Sequence, residues 1–175
     1  MRGYEQRITL GGGFPDFRGG VDGIDSAAVP VNSDAIGKTY PVTTYAVGRE
    51  KIREYAHAVG ETNQLYLNVD AARTAGYADV VAPPMFAVVY MGRAITPALF
   101  DPEVGIDFPR MLHGGQEFRW SEVVVAGDEI DTTTTVQDIR SRGGMNFYVF
   151  ETDSRNQRGE TVCTGIWTNI VRGDS

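Results

Sequence analysis

Residues 84–100 constrain the fold more than any other part of the chain. The segment is almost wholly apolar, Arg93 is its only charge, and Pro84 and Pro97 bracket it. Proline is well tolerated in a first helical turn, so a helix is expected to begin at Pro84 and to end or kink at Pro97. At about 1.5 Å per residue the bracketed stretch is about 18 Å long, too short to cross a membrane. A helix apolar on nearly all sides has to be buried, so something must wrap it. The segments after it supply the wrapping. Residues 116–125, 129–138, 146–153 and 162–171 are strand-like. They are separated by Ala126-Gly127-Asp128, Ser141-Arg142-Gly143-Gly144 and Asn156-Gln157-Arg158-Gly159, all turn chemistry. The run Thr132-Thr133-Thr134-Thr135 is β-branched throughout and disfavours helix.

Ahead of the apolar segment, residues 40–47 read as a strand rich in β-branched and aromatic side chains. Residues 49–59 follow as an amphipathic helix with Ile52, Tyr55, Ala56 and Val59 on its apolar face. An irregular stretch at 61–66 leads to a short helix at about 69–74, stopped by Gly76. A strand and helix, a buried helix, then four hairpin-spaced strands make one α+β domain. The plan is that of a hot-dog fold, a curved antiparallel sheet around one long central helix. Residues 38–175 would form this domain. Residues 1–37 form a Gly-rich arm, in which Gly11-Gly12-Gly13-Phe14-Pro15-Asp16-Phe17-Arg18-Gly19-Gly20 reads as loop or tail, with Phe14 and Phe17 as its natural anchors.

Composition excludes several classes. The 175 residues suit one domain, and a net charge of −7 from 16 basic and 23 acidic residues argues against a nucleic-acid binder. The single Cys163 leaves no internal disulfide and no cysteine metal cluster, and two histidines without cysteine partners make no metal site. No cofactor is expected. The start of the chain lacks a basic, then apolar, pattern, so no signal peptide is read and a cytoplasmic location is expected. Arg110, Arg119 and Arg140 read as solvated surface charge, with a phosphate-binding cluster as the alternative.

The stretch Val59-Gly60-Glu61-Thr62-Asn63-Gln64-Leu65-Tyr66, with Ala82-Pro83-Pro84-Met85 further on, resembles the S-G-D-x-N-P-L-H … A-H-G-M pattern of (R)-specific enoyl-CoA hydratases and MaoC-like dehydratases. The likeness extends through Val47-Gly48-Arg49-Glu50-Lys51-Ile52, Gly76-Tyr77-Ala78-Asp79-Val80-Val81, His113-Gly114-Gly115-Gln116-Glu117-Phe118 and Val124-Val125-Ala126-Gly127-Asp128. It points to type I fatty acid synthase-like dehydratase domains, and most of all to the non-catalytic subunits of mycobacterial-type (3R)-hydroxyacyl dehydratases. In that family an Asp and a His move a proton and a water, and the backbone N–H of the Gly stabilises the thioester oxyanion. Here Glu61 takes the Asp position, Tyr66 the His position and Pro84 the Gly position.

The resemblance implies a subunit of a (3R)-hydroxyacyl-thioester dehydratase or enoyl-thioester hydratase with a degenerate site. Tyrosine, with a pKa near ~10, is a poor general base at neutral pH. Proline has no N–H to donate, and loss of one oxyanion donor typically costs about 10²–10³ in rate. The implied ligand is an acyl-CoA or an acyl group on a carrier protein, with Asn63, Met85, Phe86 and Tyr90 as candidate substrate contacts. The implied partner is a catalytic MaoC-like subunit, in a heterodimer or heterotetramer, or a second copy. Two alternatives stand beside this reading. One is a self-sufficient homodimeric hydratase using Glu61 and His113; the other is a non-catalytic acyl-thioester-binding scaffold. His57, beside the apolar face of its helix, reads as an exposed histidine. Without the resemblance Met85, Phe86, Tyr90 and Met91 read as core of the buried helix, as do Phe118, Trp120, Phe147, Tyr148, Phe150 and Trp167 in the strands.

Overall fold

The computed structural model describes the backbone of residues 6–10 and the whole of residues 31–172. Its elements are β1 (Gln6–Leu10), β2 (Thr43–Ala46), α1 (Arg49–Ala58), α2 (Gln64–Leu67), α3 (Val69–Thr74), α4 (Ala87–Leu99), β3 (Met111–Trp120), β4 (Glu129–Arg142), β5 (Met145–Asn156) and β6 (Thr161–Arg172). The strands make one antiparallel sheet in the order β1-β3-β6-β5-β4-β2. Helix α4 lies on one face, against β4, β5 and β2. This is the expected hot-dog arrangement.

Period-two alternation in the strands sorts their side chains between the two faces. Thr132, Thr134 and Val136 of β4, Tyr148, Phe150 and Thr152 of β5, and Phe118 of β3 are buried. Helix α4 meets them with Tyr90, Met91, Ala94, Ile95 and Ala98, also buried. Each large apolar side chain so covered contributes about 1.5–3 kcal/mol. Gly165 lets the helix come this close. A Cβ there would lie 2.7 Å from Thr152 Oγ1, 3.0 Å from Phe118 and 3.1 Å from the Met91 sulfur.

Several expectations need correction. Pro97 does not end the helix, which continues to Leu99. Pro97 and Arg93 are both exposed in the last turns, where water can take the Arg93 carbonyl that Pro97 leaves unpaired. Val59 leaves the apolar face of α1 and is 54% exposed, because the chain turns away at Gly60, which has a φ of 75°. Residues 61–66 are not wholly irregular, since α2 begins at Gln64. The first long strand runs over Met111–Trp120 rather than 116–125. Its Gly114-Gly115 pair carries no strand-like pattern, yet it lies within β3, where the Ile170 side chain packs over Gly114 so closely that a Cβ there would require it to shift.

At the other end, Val125 leaves β3's line and bridges Val81, while Ala82 N–H donates to the Val124 carbonyl at 2.9 Å. Within the arm, Gln6–Leu10 pairs with Gln116–Trp120 of β3. Ala35 is already in the core, and Gly37 N–H donates to Val136 O at 2.8 Å, so the packed body takes in residues before 38. Phe14, Phe17 and the glycine run lie outside the described residues. Among the described residues no helix is long and apolar enough to cross a membrane.

Candidate functional site

The segment between α1 and α4 folds over one end of the sheet through a chain of local bonds. Asn63 caps α2 by accepting from Leu65 N–H at 3.0 Å, and Asn68 caps α3 by accepting from Asp70 and Ala71 N–H at 2.9 and 3.1 Å. Gly76, with a φ of 95°, turns the chain out of α3. Arg49 grips Asp79 with two bonds of 2.9 and 2.6 Å, tying α1 to the return segment, and its guanidinium holds the Asp79 carboxyl below the usual carboxylate range. Val81 N–H then donates to Leu65 O at 2.9 Å. The result is a lid-like loop held against the start of α4.

Beneath it lies a cavity of about 270 Å³. Tyr66, Tyr77, Phe86, Tyr90, Trp120 and Val124 form much of its wall. Pro84 stands at its rim, and its carbonyl accepts the Trp120 indole N–H at 2.8 Å. That bond fixes the ring that closes the β3 side. Phe86 is fully buried and meets Tyr45, Tyr55 and Tyr90 at centroid separations of 6.2, 5.5 and 6.4 Å.

The electrostatics are those of neutral hydroxyls. Burial pushes the Tyr66 hydroxyl up, and the nearby Glu61 carboxylate adds to the shift. Tyr90, with its hydroxyl beside the Cys163 thiol, is driven well above the ordinary range by burial. Burial also pushes the Cys163 thiol up to about 12. Both groups stay protonated at neutral pH, and the thiol is no nucleophile.

The structure brings Tyr66, Pro84, Phe86 and Tyr90 together around this cavity. Glu61 is half-buried outside the wall, near enough to act on both Tyr55 and Tyr66. Asn63 is exposed and engaged as a helix cap, and Met85 packs against the core beside the cavity. His57 is exposed on α1. His113 is exposed at the far end of β3, its ring 6.3 Å from that of Trp167. Seven positions separate it from Trp120, roughly 20 Å along a strand, and His113 is not among the residues of the cavity wall.

Arg110 donates to the Arg172 carbonyl at 2.7 Å, and Arg140 pairs with Asp138 and lies over the Phe147 ring. Sequence reasoning missed Tyr77 and Leu65 as wall residues and read Trp120 only as core. Tyr77 sat inside a quoted motif; nothing local marked Trp120, whose role depends on the Pro84 carbonyl.

Residues 34–165 match the family described as the FAS1-like dehydratase domain region. A UPF0336 protein of Leifsonia xyli subsp. xyli is 46% identical over 147 residues, covering 83% of this chain and 99% of that one. A UPF0336 protein of Saccharopolyspora erythraea is 41% identical over 146 residues, covering 83% and 94%. Among solved structures, a MaoC-like dehydratase superposes with a TM-score of 0.72 at 29% identity, over 79% of this chain and 42% of that one, so this chain spans less than half its length. The C-terminally truncated HadBC (3R-hydroxyacyl-ACP dehydratase) complex of Mycobacterium tuberculosis superposes with a TM-score of 0.69 at 26% identity, over 80% and 99%. The chain therefore belongs to the FAS1-like dehydratase region family, within the MaoC-like hot-dog dehydratases and hydratases.

Proposed function

We propose that this chain is the non-catalytic half of a (3R)-hydroxyacyl-thioester dehydratase or enoyl-thioester hydratase. It holds the acyl chain and offers an interface to a catalytic MaoC-like subunit. One observation carries the reading: Tyr66 and Pro84 both line the cavity, and the sequence resemblance sets them at the positions of the family's histidine and oxyanion glycine. Dehydration needs a base for the α-proton, an acid for the leaving hydroxyl and N–H donors for the developing enolate. Tyr66, with its proton held on by burial, is a donor and not a base. Pro84 offers the cavity no N–H and uses its carbonyl on Trp120. The hydroxyls of Tyr66 and Tyr77 suit a thioester carbonyl as hydrogen-bond donors. A hetero-oligomer is favoured by the likeness to the HadBC complex.

The test is hydration of a short trans-2-enoyl-CoA by the purified chain, alone and co-purified with a MaoC-like subunit that has an intact Asp/His pair. Activity confined to the mixture is expected. Turnover by the chain alone at an ordinary enzyme rate would overturn the proposal in favour of a self-sufficient site using Glu61, with His113 supplied across a homodimer. Acyl-thioester binding without turnover in any mixture would leave a scaffold.

A further inference from the structure

We infer that β1 is an exchangeable cap. In cis it closes the edge Gln116–Trp120 of β3, and when it leaves, that edge pairs with the same edge of a second copy of this chain. Strand β1 thereby sets whether the sheet ends or continues into a neighbour.

An open strand edge carries a row of unpaired N–H and C=O groups and invites another strand. This sheet defends its two sides differently. On one side the edge strand β2 is only four residues long, with Pro41 just ahead of it. Shortness and proline both discourage pairing. On the other side β3 is ten residues long. Its first part is interrupted by the register shift between His113 and Gly115, and a bulge of this kind twists an edge away from a newcomer. Beyond the shift, Gln116–Trp120 keeps unbroken register with β6 and so forms a regular edge. Strand β1 covers those residues. It is an addition to the family body, which begins at residue 34 and holds β2 to β5 and the start of β6.

The cap is held weakly. Strand β1 is five residues long and ladders on one side only. The entropy of ordering each backbone unit is similar in size to what one ladder bond returns. In cis the register sets Thr9 opposite Glu117 and Arg7 opposite Arg119. Between two copies, antiparallel pairing of Gln116–Trp120 about Phe118 sets each Glu117 opposite Arg119 of the other copy. Opposite charges directly across a ladder stabilise it, which favours a second copy as the occupant. Such a contact is isologous, so it closes as a dimer and does not propagate.

The test is the molar mass of the full chain, by size exclusion with light scattering across a range of concentrations. Leu10→Cys with Gln116→Cys sets a disulfide across a directly opposed pair, and the buried Gln116 Nε2 finds no hydrogen-bond partner among the described residues to lose. Once oxidised, this variant should keep one mass at every concentration. Ile8→Pro with Thr9→Pro should double it. Adjacent residues of an antiparallel strand donate to opposite sides, so one of the two prolines removes an N–H directed at β3. Wild type should lie between, its mass rising with concentration. Arg119→Glu added to the proline pair should abolish the doubling, and Glu117→Arg added to that should restore it. Equal masses for the oxidised and proline variants would overturn the inference. So would a doubling that survives Arg119→Glu, the mark of non-specific edge association. If the proline variant fails to fold, wild type decides: a mass that stays flat and equal to that of the oxidised variant overturns the exchange.

Discussion

The two ends of the core are built differently. Around Val136, Tyr148, Phe150, Ile95, Ala98 and Val104 the space between helix and sheet is filled. That end is also strapped from outside: the Tyr40 hydroxyl donates to Asp101 at 2.6 Å, Lys38 reaches Asp101 at 2.7 Å and also pairs with Glu103, and Asn32 donates to the Glu103 carbonyl at 2.8 Å. Around Phe86, Tyr90, Trp120 and Val124 the same helix and sheet leave a cavity under a loop. One end spends its side chains on packing, and the other gives up some packing for a cavity. Dense packing is intolerant of added or lost volume, so a site that must receive a ligand belongs where packing gives way.

Substitutions can break that contrast. Phe150→Ala, at the filled end, should cost about 3–5 kcal/mol of unfolding free energy in a denaturant titration. A loss as small as that of an exposed substitution would mean this end is not the stabilising one. Gly165→Ala, at the boundary between the ends, should destabilise by about 1–3 kcal/mol through overpacking against Met91 and Phe118. The same variant should weaken acyl-pantetheine binding if the filled core backs the cavity floor.

Asp101→Asn loosens the strap, and should lower stability by about 1–2 kcal/mol while leaving acyl-thioester affinity unchanged. Its pH dependence has a definite sign. The Lys38 ammonium and then the Tyr40 hydroxyl hold the Asp101 carboxyl at about 2, below its ordinary 3.8. Its contribution is therefore full above pH 3.8 and fades as the pH falls through about 2. The gap between wild type and Asp101→Asn should close over that acid range, and a gap that widens there would contradict the assignment.

Tyr66→Phe, at the hollow end, should do the reverse. It should leave stability nearly unchanged and weaken hexanoyl-pantetheine binding by about fivefold, the worth of one hydrogen bond. The smallest effect belongs to Arg53→Ala, whose exposed pair with Glu50 at 3.2 Å should contribute at most about 0.5 kcal/mol and should affect neither end.

Much of this architecture was legible one segment at a time. The apolar run after Pro84 had to be a buried helix, the Thr132–Thr135 run had to be strand, and Gly76 had to stop α3. Each follows from local periodicity or backbone freedom, which depend on near neighbours in the chain. Glu61, Tyr66 and Pro84 stood out for a different reason, through the resemblance of their segments to the MaoC-like pattern.

What the chain alone did not disclose was every feature that depends on a distant partner. Val123-Val124-Val125 has strand character, and only the return segment at Val80–Ala82 decides that it leaves the line of β3 to close the cavity. Gly114 and Gly115 look like a break, and only pairing with β6 shows that they lie inside β3, with Ile170 packed over Gly114. Trp120 reads as core until the Pro84 carbonyl orients it, and only the fold shows that the Asn63 side chain caps α2 through Leu65 N–H. By itself the sequence determined the fold class and the buried helix, because these rest on pattern and on side-chain chemistry. The tertiary structure alone decided that Tyr66, Pro84 and Tyr90 share one cavity and that His113 lies at the other end of β3 from Trp120, because packing between remote segments sets which side chains meet.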